Sequence, residues 1–97
     1  LRGSQRKRLR ALAHGLEPVC FVGKGGVSEA VVQAVDTALN DHELIKVKYI
    51  AGKEEKRAST DALAAQTQSH VVGLIGNVAI LYRQHPEEEK RKISLDA

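Results

Sequence analysis

The stretch VVGLIGNVAILYR, residues 71–83, limits the possible folds more than any other part of the chain. Two apolar runs, Val71 to Ile75 and Val78 to Arg83, are separated by Gly76-Asn77 alone. Two residues of this type between β-prone segments predict a tight hairpin, because the turn needs positive φ, which glycine and asparagine tolerate. An antiparallel strand pair is therefore set near the end of the chain, and the remaining residues must cover its faces. With 97 residues, of which 42% are apolar, one aliphatic core is expected and a second independent one is not. The three aromatic residues, Phe21, Tyr49 and Tyr82, are expected in that core or in the hairpin.

Upstream of the hairpin, periodicity changes several times. Ser4 is predicted to cap a helix that runs to about His14, with Leu9, Leu12, Ala13 and Leu16 as its buried stripe. Arg6, Lys7 and Arg10 then fall on another side. Gly15 is expected to end the helix in the left-handed conformation, and Pro18 opens a short strand, Val19 to Val22. A second helix follows Ser28, its predicted cap, with Val27 packed on Val32 as a staple. Val31, Val35, Ala38 and Leu39 carry its apolar face to about Asn40, and Glu29 suits the positive first turn.

ELIKVKYIA alternates with period two, which aims Ile45, Val47 and Tyr49 at a packed face and Lys46 and Lys48 at an open, cationic one. GKEEKRAST reads as a charged turn, with Ser59 or Thr60 capping a third helix to about Gln68 over Ala62, Leu63 and Ala65. The order is α-β-α-β-α-β-β. It predicts an α/β two-layer sandwich, a four-stranded mixed sheet with helices packed against it. Residues 1–97 form one domain in this reading, 84–97 being a charged C-terminal tail whose Ile93 and Leu95 are expected to dock.

The formal charge is only +3, but it is unevenly spread. The first 24 residues carry Arg2, Arg6, Lys7, Arg8, Arg10 and Lys24 against Glu17 alone, while the rest of the chain carries nine basic and eleven acidic residues. A positive field gathered in this way attracts polyanions. The single cysteine, Cys20, rules out an internal disulfide and, inside an apolar run, reads as a small core residue. Without a signal peptide or a long apolar run, the expectation is a cytoplasmic monomer with no membrane segment. The first residue is not methionine, which suggests a natural start elsewhere.

Between the first strand and second helix lies CFVGKGGVSEAVV, residues 20–32, the local recipe for holding a phosphate. A nucleotide is the first candidate, and it fails. The Walker loop needs Gly-Lys followed by Ser or Thr, whereas Val27 leads here to Ser28-Glu29-Ala30. Gly23, Gly25 and Gly26 do not supply G-x-G-x-x-G, and the chain is too short for paired nucleotide-binding halves. What remains is G-x-x-G, Gly23 to Gly26, with Lys24 as a mobile cation. Bare backbone amides there can approach a phosphate, and a helix N-terminus adds positive charge. KH domains clamp nucleic-acid backbone with such a loop, set between two helices.

Other chemistry finds little support. His14, His42, His70 and His85 are scattered without metal-ligand spacing, and no serine sits in a nucleophile-elbow motif. Asp41-His42-Glu43 reads as a cap rather than an acid/base pair, and Glu54-Glu55 and Glu87 to Glu89 as solvated surface. No enzyme activity, cofactor, metal or small-molecule substrate is expected.

The segments LRGSQRKRLRALAH, LEPV, VGKGGVSEAV, HELIKVK, VVGLIGNVAILYR and RKISL occur in the order of a known family. Together they make the chain resemble the YhbY-like proteins built from a single CRM (chloroplast RNA splicing and ribosome maturation) domain. The match also makes LRGS look native. The resemblance implies a fold similar to the C-terminal domain of translation initiation factor three. It also implies binding to ribosomal RNA in large-subunit precursors, with Gly23, Lys24, Gly25 and Gly26 as the contacting loop and the basic first helix, Arg6, Lys7 and Arg10, beside it. Lys46 and Lys48 join the candidates from their alternation, and Arg83 from the LYR match. Because the aromatics are assigned to core or hairpin, recognition is expected to favour backbone and shape over bases. Two rival readings are a domain that docks on a ribosomal protein or assembly factor and, with far less support, a small nucleotide-dependent enzyme.

Overall fold

The computed structural model describes residues 1–50 and 55–95. Its elements are α1 (Gly3–Ala13), β1 (Cys20–Val22), α2 (Glu29–His42), β2 (Leu44–Tyr49), α3 (Lys56–Thr67), β3 (His70–Ile75) and β4 (Val78–Tyr82), followed by a 3-10 turn at Glu88–Lys90. The strands lie in the order β1-β2-β4-β3. β1 runs parallel to β2, and the other two pairings are antiparallel, so the sheet is mixed as expected. The predicted hairpin closes with Ile75 opposite Val78 and Gly76 at φ +58°.

Alternation along the strands divides the core into two clusters. On one face, Val35 and Leu39 of α2 and Leu63 and Ala64 of α3 pack with Cys20, Val22, Ile45, Val47, Tyr49, Ala79 and Leu81. On the other, Leu9 and Ala13 of α1 pack with Leu44, Val72, Ile80 and Tyr82. Each fully buried leucine contributes roughly 2 kcal/mol, so α1 is held by its own cluster and not by helix propensity. The lysine face of β2 is therefore partly covered, contrary to the expectation of an open one. Leu44 on that strand, with Ile80 and Tyr82 beside it, demands a helix there.

Other local expectations change for similar reasons. Arg2, not Ser4, is the N-cap of α1, and Gln5 Oε1 accepts the Arg2 amide at 2.9 Å. Gly15 is not left-handed; among the described residues the positive-φ glycines are Gly26 and Gly76. Leu12 and Leu16 stay 42% and 40% exposed, because the buried side chains of α1 are Leu9 and Ala13 and the helix ends before Leu16. Glu55 rather than Ser59 or Thr60 caps α3. Thr60 instead faces inward, its Oγ1 2.6 Å from the Tyr49 hydroxyl, while Ala62 and Ala65 are exposed. Part of the charged turn expected at 52–60 lies outside the described residues.

The tail docks as anticipated, with Ile93 and Leu95 against the α1 cluster. Glu43 fastens it. This residue ends α2 at φ +64°, in the region that L side chains avoid, and is 1% exposed. Its carboxylate accepts the amides of His85 at 2.7 Å, Lys92 at 2.6 Å and Ile93 at 3.0 Å. The cap expected at Asp41-His42-Glu43 is also present, through the Glu43 amide, which donates to the Leu39 carbonyl at 2.9 Å and closes α2.

Candidate nucleic-acid interface

The glycine loop continues directly from β1. The Gly26 amide donates to the Gly23 carbonyl at 3.0 Å, which closes a turn with Lys24 and Gly25 exposed at its tip. Gly26 stands at φ +68°, a geometry that favours glycine. Gly23 and Gly25 differ: their φ values are not positive, and a Cβ at either would meet nothing within 4 Å. The fold itself does not demand glycine at those two positions. Ser28 then caps α2 as predicted, its Oγ accepting the Val31 amide at 3.3 Å. The positive end of α2 therefore lies just beyond the loop.

Parallel pairing aligns Phe21 with Lys48 and Val22 with Tyr49, which sets the loop beside the C-terminal end of β2. Lys48 is exposed there. Lys46, one row further back, is half-buried and donates from Nζ to the Leu16 carbonyl at 3.0 Å. Arg10 lies over Gly73, where a Cβ would come within 3.6 Å of its Cδ, and its Nη1 is 3.4 Å from the Val72 carbonyl. Arg6 donates to the Val71 carbonyl. Both arginines thus serve the irregularity between Val71 and Gly73, where β3 slips register against β4. Lys46, Lys48 and Arg10 thus lie over one sheet face, Lys48 next to the strand that leads into the loop and Arg10 over β3 at the opposite edge.

Lys7 is exposed and lines a separate open groove of about 780 Å³ with Arg2, Arg8 and Leu95. Arg83 is also elsewhere. Leu44 pairs with Tyr82, so Arg83 follows β4 at the end of the sheet opposite the loop. Its guanidinium donates to Asp36 Oδ1 at 2.6 Å, the Thr67 carbonyl at 2.7 Å, the Asp36 carbonyl at 3.0 Å and Asn40 Oδ1 at 2.9 Å. A side chain so occupied ties the end of α3 to α2.

One residue of this surface was assigned to the core or hairpin by its composition: Phe21 is 52% exposed. Its neighbours Cys20 and Val22 point into the core, so the middle residue of a three-residue strand must point out. The signal was present in the alternation, but the apolar run masked it.

Burial pushes the Cys20 thiol up, which keeps it a protonated core group at neutral pH. Burial also raises the Tyr82 phenol, helped by the nearby Glu43 charge and opposed by Arg91. Among the described residues, no three His, Cys, Asp or Glu side chains gather as metal ligands would. None of their helices is long and apolar enough to cross a membrane.

The model of the CRS1/YhbY (CRM) domain family matches residues 1–83. The chain belongs to this family. A Pseudomonas aeruginosa protein named probable RNA-binding protein PA4753 is 42% identical over 87 residues, covering 89% of this chain and 84% of that protein. The probable RNA-binding protein YqeI of Bacillus subtilis is 37% identical over 91 residues, 93% of this chain and 95% of YqeI. The solution structure of the hypothetical protein SAV1595 from Staphylococcus aureus superposes with a TM-score of 0.81 at 33% identity, covering 97% of this chain and 99% of that one. The CRM match ends at Arg83, immediately before the tail that Glu43 fastens.

Proposed function

We propose that this CRM protein binds ribosomal RNA on precursors of the large ribosomal subunit and acts there by binding, without a catalytic step. The observation that carries the reading is the open turn at 23–26, with Lys24 exposed at its tip and Lys48 exposed on the neighbouring strand, in a chain whose relatives are named probable RNA-binding proteins. Backbone amides and the α2 terminus receive a phosphate, while the cations supply affinity that depends little on sequence. The ribosomal target follows from the family resemblance; a compact domain of this size is proposed to work as a monomer, in the cytoplasm. Arg6 and Lys7 extend the basic surface along α1 without reaching the loop.

A second reading, docking on a protein of the particle, draws on an apolar groove of about 440 Å³ lined by Leu12, Leu16, Val19, Leu44, Ile45 and Ile93. One experiment separates the two. Retention on large-subunit precursor particles should fall steeply as salt rises and vanish after nuclease treatment. Binding that persists through both treatments, and is lost in Leu16→Ser, would favour the protein-docking reading instead.

A further inference from the structure

We infer that the part of the sheet left uncovered by α1 is a platform for one unpaired nucleobase, with Phe21 as its stacking surface. The inference rests on the RNA-binding reading and adds base contact to it. Register fixes the platform: Phe21 pairs with Lys48, Lys48 with Val78, and Val78 with Ile75, so one transverse row crosses all four strands. Side chains in such a row share a face. Phe21 and Ile75 are 52% and 65% exposed. The helix that buries the rows behind stops at Ala13. Between its end and the row is a pocket of about 290 Å³, lined by Arg10, His14, Lys46, Ile75, Val78 and Ile80.

An apolar floor with cations set into it suits a ligand that is flat and apolar on one side and anionic on the other. A nucleotide has that chemistry: its base has a π-face, and its phosphate pairs with lysine or arginine. Continuity supports the same occupant. Phe21 precedes Gly23 by two residues, about 7 Å along a strand. A base attached to a phosphate held at the loop therefore reaches the ring. The charge is right, since Lys48 stands in the row and Lys46 and Arg10 line the pocket.

The test compares two RNAs, a hairpin with a four-uridine 3′ overhang and the same hairpin with an abasic overhang, at fixed salt. The wild-type protein should bind the uridine form about tenfold more tightly. Phe21→Ala and Phe21→Leu should remove the preference, the second keeping apolar bulk should the first unfold. Phe21→Trp should retain it. Since the chain contains no tryptophan, that variant also provides a single fluorophore that a stacked base quenches. Lys24→Glu should weaken both RNAs alike.

Equal wild-type affinity for the two RNAs, or a full preference surviving in Phe21→Leu, overturns the platform while leaving loop-mediated binding intact. Loss of particle association in Phe21→Leu with both RNA affinities unchanged also overturns it and assigns the row to a protein contact. If the wild-type protein binds neither RNA, the proposed function fails, and this inference with it.

Discussion

At one end of the sheet, Arg83 gives its guanidinium to Asp36, Asn40 and Thr67, and Glu43 gathers three amides of the tail. At the other, Lys24 stands on an exposed turn with no hydrogen-bond or ion-pair partner among the described residues. Lys46 and Arg10 also find carbonyls, those of Leu16 and Val72, so the contrast is between Arg83 and Lys24. Two helix C-termini converge at the Arg83 end, and their carbonyls attract positive charge. A strand end and a helix N-terminus meet at the Lys24 end, where free backbone donors favour an anion and leave a cation pointing to solvent. The Arg83 charge is spent on the fold, and under the proposed function the Lys24 charge is the one that meets RNA.

The largest effect that can break this contrast is at Glu43. Glu43→Ala leaves three amides without their acceptor and should cost about 3 kcal/mol in urea unfolding, with little change in RNA affinity of the folded fraction. A loss well under 1 kcal/mol would mean that the tail is held by Ile93 and Leu95 alone. Arg83→Lys comes next, at roughly 1.5 kcal/mol, because one ammonium cannot reproduce a planar set of four bonds. RNA affinity should again be unchanged; a tenfold drop at full folding would return Arg83 to the binding surface.

Smaller effects sharpen the contrast within the loop. Gly26→Ala should cost about 1 kcal/mol through its positive φ. Gly25→Ala should leave stability unchanged or raise it by about 0.5 kcal/mol, since the space is open and the unfolded chain loses freedom. The same variant should nonetheless weaken RNA binding, because its methyl group stands where a phosphate approaches. Denaturation curves and fluorescence anisotropy on a ribosomal RNA fragment measure both quantities.

The element order, the Gly76-Asn77 turn, the Ser28 cap and the mixed sheet were all legible from local pattern, because each depends on residues adjacent in sequence. Long-range choices were not. Nothing in the run around Leu9 says which sheet face α1 will cover; that is settled by Leu44, Val72, Ile80 and Tyr82 from three later strands. Thr60 looked like a cap because a buried hydroxyl partner, Tyr49, cannot be seen from its neighbours. Arg83 looked available for the same reason, its partners lying on α2 and at the end of α3. The turn at 23–26 is more legible, since glycines between a strand and a helix are a local object and only their surroundings come from the fold. Phe21 was hidden by composition, since an apolar residue in an apolar run reads as core until strand register turns it outward.

The most direct test of the central claim is the salt dependence of binding to a large-subunit RNA fragment, compared between wild type, Lys24→Gln and Arg83→Gln. The account predicts that Lys24→Gln lowers affinity and flattens the slope of log K against log salt by about 0.7 to 0.9, one phosphate contact's worth. Arg83→Gln, compared at equal folded concentration, should keep the wild-type slope. A Lys24→Gln line that coincides with wild type, or an Arg83→Gln line that alone flattens, would contradict it.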